Sequence, residues 1–337
     1  MKKLLLIGAS GFAGTHVLKQ LVDMPEIRLV VACRDKSRLQ IPFDGEIRQG
    51  DIRDPAYLNG LMKDIDIVIN AMAWSSLWGN EEASKTLFLN PSLAMIEAFE
   101  QSHATRLVNI SSASVASPQR STDAMSAGIA RKFWPHLCNV IRLENRLRQS
   151  CINYPEKSVV NLRLGLFAGE HYALGLLPIL VPRMKTHLVP WVAGGRTEMP
   201  IIDGSDIAQA MILSALATDL SAYNSYNIVG PEVPSVRQVI SFIADEYHLP
   251  KPHFSVPFPV AYVFAWCMER LDKVVPWEPL IVRSIIHLLE NTGASNDRAE
   301  AELGYKPSIH WQQAIRSQMD EMRRKQKSPM KMARSIA

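Results

Sequence analysis

Five short runs of the chain are predominantly apolar without a polar–apolar alternation: Leu4–Ile7, Leu29–Ala32, Ile65–Ala71, Leu107–Ile110 and Val159–Leu164. A strand with one wet face alternates, so these runs predict strands covered on both faces, the mark of a parallel sheet. Between them lie Thr15–Asp23, Pro55–Lys63, Ser92–Gln101 and His136–Ser150, with the spacing of helices. Strand and helix in strict alternation predict an α/β fold, a doubly wound parallel Rossmann sheet. After Ala168 the chain is richer in Pro and Trp and less regular. A basic, disordered tail is expected over 319–337.

The first strand runs straight into Gly8-Ala-Ser10-Gly11-Phe12-Ala-Gly14 and then into a helix. Glycines there allow a tight turn and let backbone N–H groups approach a pyrophosphate at the positive helix end. The end of the second strand selects between nicotinamide cofactors. An acid accepts from the ribose hydroxyls of NAD, whereas an arginine holds the 2′-phosphate of NADP. Arg34 occupies that position, followed by Asp35, Lys36 and Arg38. NADP(H) is therefore expected in preference to NAD(H), with Asp35 the residue that a small shift in register would substitute.

Charge narrows the partners. The net charge is +4, but the segment Arg316–Ala337 carries seven Lys/Arg against two Asp/Glu, leaving 30 basic and 31 acidic residues elsewhere. The body is neutral, which argues against a nucleic-acid partner. Cys33, Cys138, Cys151 and Cys267 are scattered, without the spacing of a disulfide framework or a zinc site, and no metal is expected. Lys2 and Lys3 precede an apolar stretch that breaks at once into the glycine loop, so no secretory signal is read and a cytoplasmic location is expected. The longest other apolar run, Val256–Met268, is interrupted by prolines and falls short of the about 20 residues a spanning helix needs.

Further segments, taken in order, resemble the extended short-chain dehydrogenase/reductases, the NAD-dependent epimerase/dehydratase group. The opening glycines match that family's G-x-x-G-x-x-G. Gly50-Asp51-Ile52-Arg-Asp54 resembles its adenine-side motif, and Asn70-Ala71-Met72 the segment that lines the cofactor after the fourth strand. Val108-Asn-Ile-Ser111-Ser112 resembles the fifth strand, with Ser112 in the slot of the catalytic Ser/Thr. Leu162–Gly169, Pro200–Ala208, Tyr226–Gly230 and Asp297–Tyr305 complete the match. The resemblance implies a dinucleotide-binding domain over 1–169 plus about 200–230, a smaller, C-terminal substrate lobe over about 170–199 and 231–318, and cofactor contacts from Gly8, Ser10, Gly11, Phe12, Gly14, Arg34, Asp51, Ile52, Asn70, Ala71 and Met72.

The family's chemistry uses a Tyr-x-x-x-Lys pair about two dozen residues after that serine, and this chain is read as an atypical member that lacks the pair altogether. With Glu144 as the anchor, His136 falls in the tyrosine slot and Val140 in the lysine slot; two residues later they are Cys138 and Arg142. Pro135 favours a helix start at this point. His136 is the candidate acid/base, against its reading as an ordinary packed histidine. Arg163 is expected to brace the fold, and Ser205 and Asp206 to cap a helix over 207–216.

Two functions stay open. The first is an oxidoreductase that passes hydride between NADP(H) and an apolar carbonyl or alcohol, with Ser112 polarising the oxygen; the intact two-lobed layout favours it. The second is a non-catalytic binding or redox-sensing module, favoured by the absent pair. A sugar-nucleotide epimerase/dehydratase is weaker, because the lobe shows no basic cluster for a diphosphate. The aromatics of His253–Trp277, with Trp74 and Trp78, could wall an apolar small-molecule pocket, form a homodimer face, or give peripheral membrane contact.

Overall fold

A computed structural model describes residues 1–116, 122–272, 274 and 279–334, with side chains to residue 325. The chain begins β1 (Lys2–Ile7), α1 (Phe12–Leu21), β2 (Ile27–Cys33), β3 (Glu46–Gln49), α2 (Pro55–Leu61) and β4 (Ile67–Asn70). Helix α3 (Glu81–Ser84) passes through a π-helical stretch, Lys85–Leu89, into α4 (Asn90–Gln101). Then come β5 (Arg106–Ser112), α5 (Pro135–Asn153), β6 (Ser158–Leu164), β7 (Leu166–Ala168), α6 (Leu176–Met184), β8 (Trp191–Val192) and β9 (Ile201–Asp203). The rest is α7 (Gly204–Leu216), β10 (Tyr223–Ile228), α8 (Val236–Tyr247), β11 (Ser255–Val256), α9 (Phe258–Leu271), α10 (Arg283–His287), α11 (Asp297–Leu303) and α12 (Trp311–Arg334).

Seven strands form one sheet in the order β10-β6-β5-β4-β1-β2-β3, all parallel. The α/β doubly wound fold is thus as the apolar pattern predicts. Side-chain alternation shows why the runs need no polar positions. Leu4 and Leu6 pack with α1 and α7 on one face, while Leu5 and Ile7 pack with α2, α4 and α5 on the other. The strand order reverses between β1 and β4, and at that switch point the carboxyl ends of the strands part to leave a crevice.

Two sheet strands escape the pattern. Both are edges: β3 reads Glu-Ile-Arg-Gln, and β10 reads Tyr-Asn-Ser-Tyr-Asn-Ile. Several of their polar side chains find partners, as where Asn227 donates to the Thr122 carbonyl at 2.9 Å. The cap of α7 also differs from expectation. Asp203 accepts from Ser205 N at 2.7 Å, while Asp206 accepts from Ser308 N and Ile309 N, both at 3.0 Å. The basic end, expected as a disordered tail from residue 319, is helical to Arg334, because α12 buries Ile315 and Met319 against α8.

A further core joins α6, α8 and α12 around Trp191, Val239, Ile243 and Trp311. Helices α9 and α10 close on the loop after β4. Trp78 Nε1 donates to Asp272 at 3.0 Å, the Ser284 hydroxyl donates to the Leu77 carbonyl, and His287 Nε2 lies 2.9 Å from the Ser114 carbonyl. Among the described residues, no helix is long and apolar enough to cross a membrane, no group of side chains is arranged to hold a metal, and the four cysteines are free.

Candidate dinucleotide site

The glycine loop sits at the switch point. Gly8 has φ +85°, and a Cβ there would lie 2.9 Å from the backbone of Ala71 and Met72, so the loop and the end of β4 are in close approach. Gly11 caps α1 without a side-chain hydrogen bond and is exposed, as is Ser10. No side chain caps the first-turn N–H groups, which lack intrahelical partners at the positive end of a ten-residue helix. A Cβ on Gly14 would come 2.1 Å from the Gly8 carbonyl oxygen, so only glycine lets α1 sit this close to the turn. Three features fit a pyrophosphate: an uncapped helix end, a backbone cradle and open space over Gly11. Phe12 turns sideways, its ring 4.7 Å from that of Tyr172 and 5.6 Å from that of Phe167. This aromatic cluster beside the loop joins elements far apart in sequence and is not visible in any one segment.

At the end of β2, Arg34 is exposed. Asp35 is turned to local use: its Oδ1 accepts from Ser37 N at 2.9 Å and Ser37 Oγ at 2.7 Å, capping a short 3-10 turn. Those bonds hold its carboxyl below the usual range. The acid that could have replaced Arg34 is thus spent on the turn. Asp51 forms a two-pronged pair with Arg53, with Nε 3.0 Å from Oδ1 and Nη2 2.5 Å from Oδ2. The Arg53 bonds, backed by the field of Arg34, lower the Asp51 carboxyl to about 2. Beside Ile52 and Arg53 a groove of about 440 Å³ opens between α2 and α4.

Asn70 is fully buried. Its Oδ1 accepts from Met72 N at 3.2 Å and its Nδ2 donates to Asn109 Oδ1 at 2.9 Å. Asn109 Nδ2 donates in turn to Asn161 Oδ1 at 3.0 Å, and Asn161 Nδ2 to Glu144 Oε1 at 3.0 Å. The three asparagines are register partners across β4, β5 and β6. Glu144 also accepts from Ser111 Oγ at 2.6 Å and from Arg163 Nε and Nη2 at 3.0 and 2.6 Å. Arg163 braces the fold, as expected. Asn109 and Asn161 were missed as contributors; their sequence signal is a lone amide inside an apolar run.

Ser112 stands half-buried at the exit of β5, its Oγ donating to Ser114 Oγ at 3.0 Å. His136 is buried on the first turn of α5. Its Nδ1 is 3.0 Å from Ser84 Oγ, and its ring is edged by Trp74 and Phe88. Asn139 Nδ2 donates to the same Ser84 oxygen at 2.9 Å, so one hydroxyl ties both side chains of α5 to α3. Burial lowers its pKa to about 4. The structure therefore gives His136 to Ser84 and Ser112 to Ser114, and does not join them by a hydrogen bond. Val140 is buried in the core. Of the later pair, Cys138 is half-buried with its thiol on the Arg131 carbonyl, and Arg142 is exposed. The expectation that the Tyr-x-x-x-Lys spacing is absent altogether is wrong: it occurs once, at Tyr247 and Lys251. It falls where α8 ends, with Arg323 over the Tyr247 ring and Lys251 paired to Asp245. The helix stops between them at left-handed His248, so they share no helix face.

A model described as the NAD dependent epimerase/dehydratase family matches residues 4–229, from β1 to the end of β10. The chain belongs to that family. A protein similar to it in sequence is the mitochondrial NADH dehydrogenase [ubiquinone] 1 alpha subcomplex subunit 9 of Arabidopsis thaliana, 22% identical over 303 residues, 87% of this chain and 69% of that protein. In fold, this member of the NAD dependent epimerase/dehydratase family is similar to the Bacillus cereus UDP-glucuronic acid 4-epimerase in complex with UDP-glucuronic acid and NAD. That match has a TM-score of 0.71 and 17% identity, covering 96% of this chain and 99% of that one. It is also similar to the Thermus thermophilus UDP-glucose 4-epimerase in complex with NAD, with a TM-score of 0.67 and 18% identity over 95% and 99% of the two chains.

Proposed function

We propose that this chain is an NADP(H)-holding member of its family that does not run the family's tyrosine-driven proton transfer. The observation that carries the reading is the state of the acid/base slots: His136 is a buried neutral ring tied to Ser84, and Val140 is core. The uncapped turn at Gly8, Ser10, Gly11, Phe12 and Gly14 would hold the pyrophosphate. Asp51 and Ile52 would meet the adenine side, and Asn70, Ala71 and Met72 would line the nicotinamide side. Arg34, with Asp35 turned away, would pair with a 2′-phosphate. Bound there, the cofactor would supply hydride chemistry. The Arabidopsis relative is named as a subunit of an NADH dehydrogenase, which suits a cofactor held within an assembly.

A second reading, an oxidoreductase on an apolar carbonyl or alcohol, rests on Ser112. Its half-buried hydroxyl at the strand exit is placed to donate to a substrate oxygen, with water carrying the proton. The sugar-nucleotide epimerase reading has less support, since that chemistry needs the acid/base the slots lack. Calorimetry of the wild type with NADPH and NADH, followed by oxidation of bound NADPH in the presence of small aliphatic and aromatic aldehydes, separates the readings. Tight NADPH binding without turnover is expected. Equal affinity for both cofactors overturns the NADP(H) assignment, and turnover abolished by Ser112→Ala favours the oxidoreductase.

A further inference from the structure

We propose that the outer face of α9 docks on a lipid bilayer. The proposal goes beyond cofactor binding and does not depend on it. Helix α9 is apolar on two sides. Its inner side buries Ala261 and Ala265 against Val192 and Ile286. Its outer side carries Val260, Val263, Phe264 and Leu271, at i, i+3, i+4 and i+11 on one helical stripe. Val263 is 61% exposed and Phe264 51%. Trp266, 43% exposed, flanks the stripe. Of fourteen exposed large hydrophobic side chains among the described residues, five lie on α9. Single exposed apolar residues need no explanation, but such a concentration on one helix does.

Charge decides the occupant. The described carboxylates, Glu269 on α9 and Asp272 just past it, are withdrawn from the face. Glu269 is buried, with Arg283 Nε on its Oε2 at 2.7 Å and Arg283 N on its Oε1 at 2.7 Å. Asp272, one residue past the helix, accepts from Trp78. The charged side chain left exposed on α9 is Arg270, whose guanidinium lies over the Trp266 ring at 5.2 Å. An apolar stripe without an exposed carboxylate, edged by one cation and an amphipathic tryptophan, complements the headgroup–acyl boundary of a bilayer. A helix of fourteen residues is about 21 Å long, so it would lie in the boundary rather than cross it. The bonds Trp78–Asp272 and Ser284–Leu77 join this segment to the loop after β4. The bilayer would thus stand beside the nicotinamide-side rim of the cleft.

The test is flotation of the full chain with vesicles of phosphatidylcholine alone and of phosphatidylcholine with phosphatidylglycerol. The wild type is expected to float with both, more with the anionic mixture. Val263→Asp/Phe264→Asp should cut the floated fraction on the order of tenfold or more, with circular dichroism unchanged because both positions are exposed. Arg270→Gln should keep flotation and lose the anionic gain. A wild type that stays at the bottom with both vesicles, or a double variant that floats as well as the wild type, overturns the proposal. So does sedimentation in which the double substitution turns a vesicle-indifferent dimer into a monomer, which would make the face a contact between copies.

Discussion

Gly11 and Gly14 lie one helical turn apart and should fail differently. A Cβ at Gly11 meets only the Gly8 carbonyl oxygen, at 3.3 Å, and faces solvent. Gly11→Val should keep the fold, its unfolding midpoint close to wild type, and lose NADPH binding by calorimetry, because the branched side chain stands where the pyrophosphate must come. Gly14→Ala drives a Cβ into the Gly8 carbonyl, so it should cost about 1–3 kcal/mol in urea unfolding before any ligand is added. Arg34→Ala should weaken NADPH by about 1.5–3 kcal/mol and leave NADH nearly unchanged, the signature of one charge-assisted contact to the 2′-phosphate. His136 makes a prediction about pH. Its folded pKa, about 4, lies below the ordinary 6.5, so the unfolded chain takes up the proton first. Its contribution to stability is present above pH 6.5 and is lost as pH falls toward 4. By pH 5 the loss is about 2 kcal/mol. His136→Met should therefore show a shallower fall in stability between pH 7 and 5 than wild type, and equal slopes would mean that the ring is solvated.

At the scale of elements, the buried Glu144–Arg163 pair ties α5 to β6. Arg163→Leu would leave the carboxylate buried with only Ser111 and Asn161, and should cost about 3–5 kcal/mol in urea unfolding. The double variant Glu144→Leu/Arg163→Leu should cost less than the sum of its parts, since no charge is then stranded. Elements were legible in the sequence where burial alone dictates composition. β1, β2, β4, β5 and β6 are covered on both faces and announce themselves as apolar runs. β3 and β10 are edges whose side chains bond to loops, so no period marks them. The glycine turn was legible because its chemistry is local. Asp35 was ambiguous because its partner, Ser37, decides its role only once the 3-10 turn forms. The fate of His136 was open for a related reason: Ser84, Trp74 and Phe88 come from segments about 48–62 residues away in sequence.

At the scale of the whole molecule, the α9–α10 region meets the loop after β4 through a few polar bonds. Asp272 holds Trp78, Ser284 holds Leu77, and His287 reaches Ser114. The same region also packs on Phe133 and Trp134 through Tyr262 and His287, so the Trp78–Asp272 bond controls the loop after β4 and the end of α9 rather than the whole interface. Asp272→Ala should raise amide hydrogen exchange in Trp74–Gly79 and α9 while leaving β1, β4 and β5 as protected as before. A rise spread over the whole sheet would instead mean that this region and the sheet unfold as one unit.

The asparagine row has a direction. Each amide gives its hydrogen toward the next strand and takes one from the strand before, from Met72 N to Asn70, Asn109, Asn161 and then Glu144. No member can turn its amide over alone without setting oxygen against oxygen on one side and hydrogen against hydrogen on the other. The carboxylate at one end therefore fixes the polarity of the whole row. It does so across two strand spacings, about 9.5 Å, from β6 through β5 to the Met72 peptide at the end of β4. A single carboxylate on α5 acts on that peptide as a compass acts on a needle, by orientation rather than by contact.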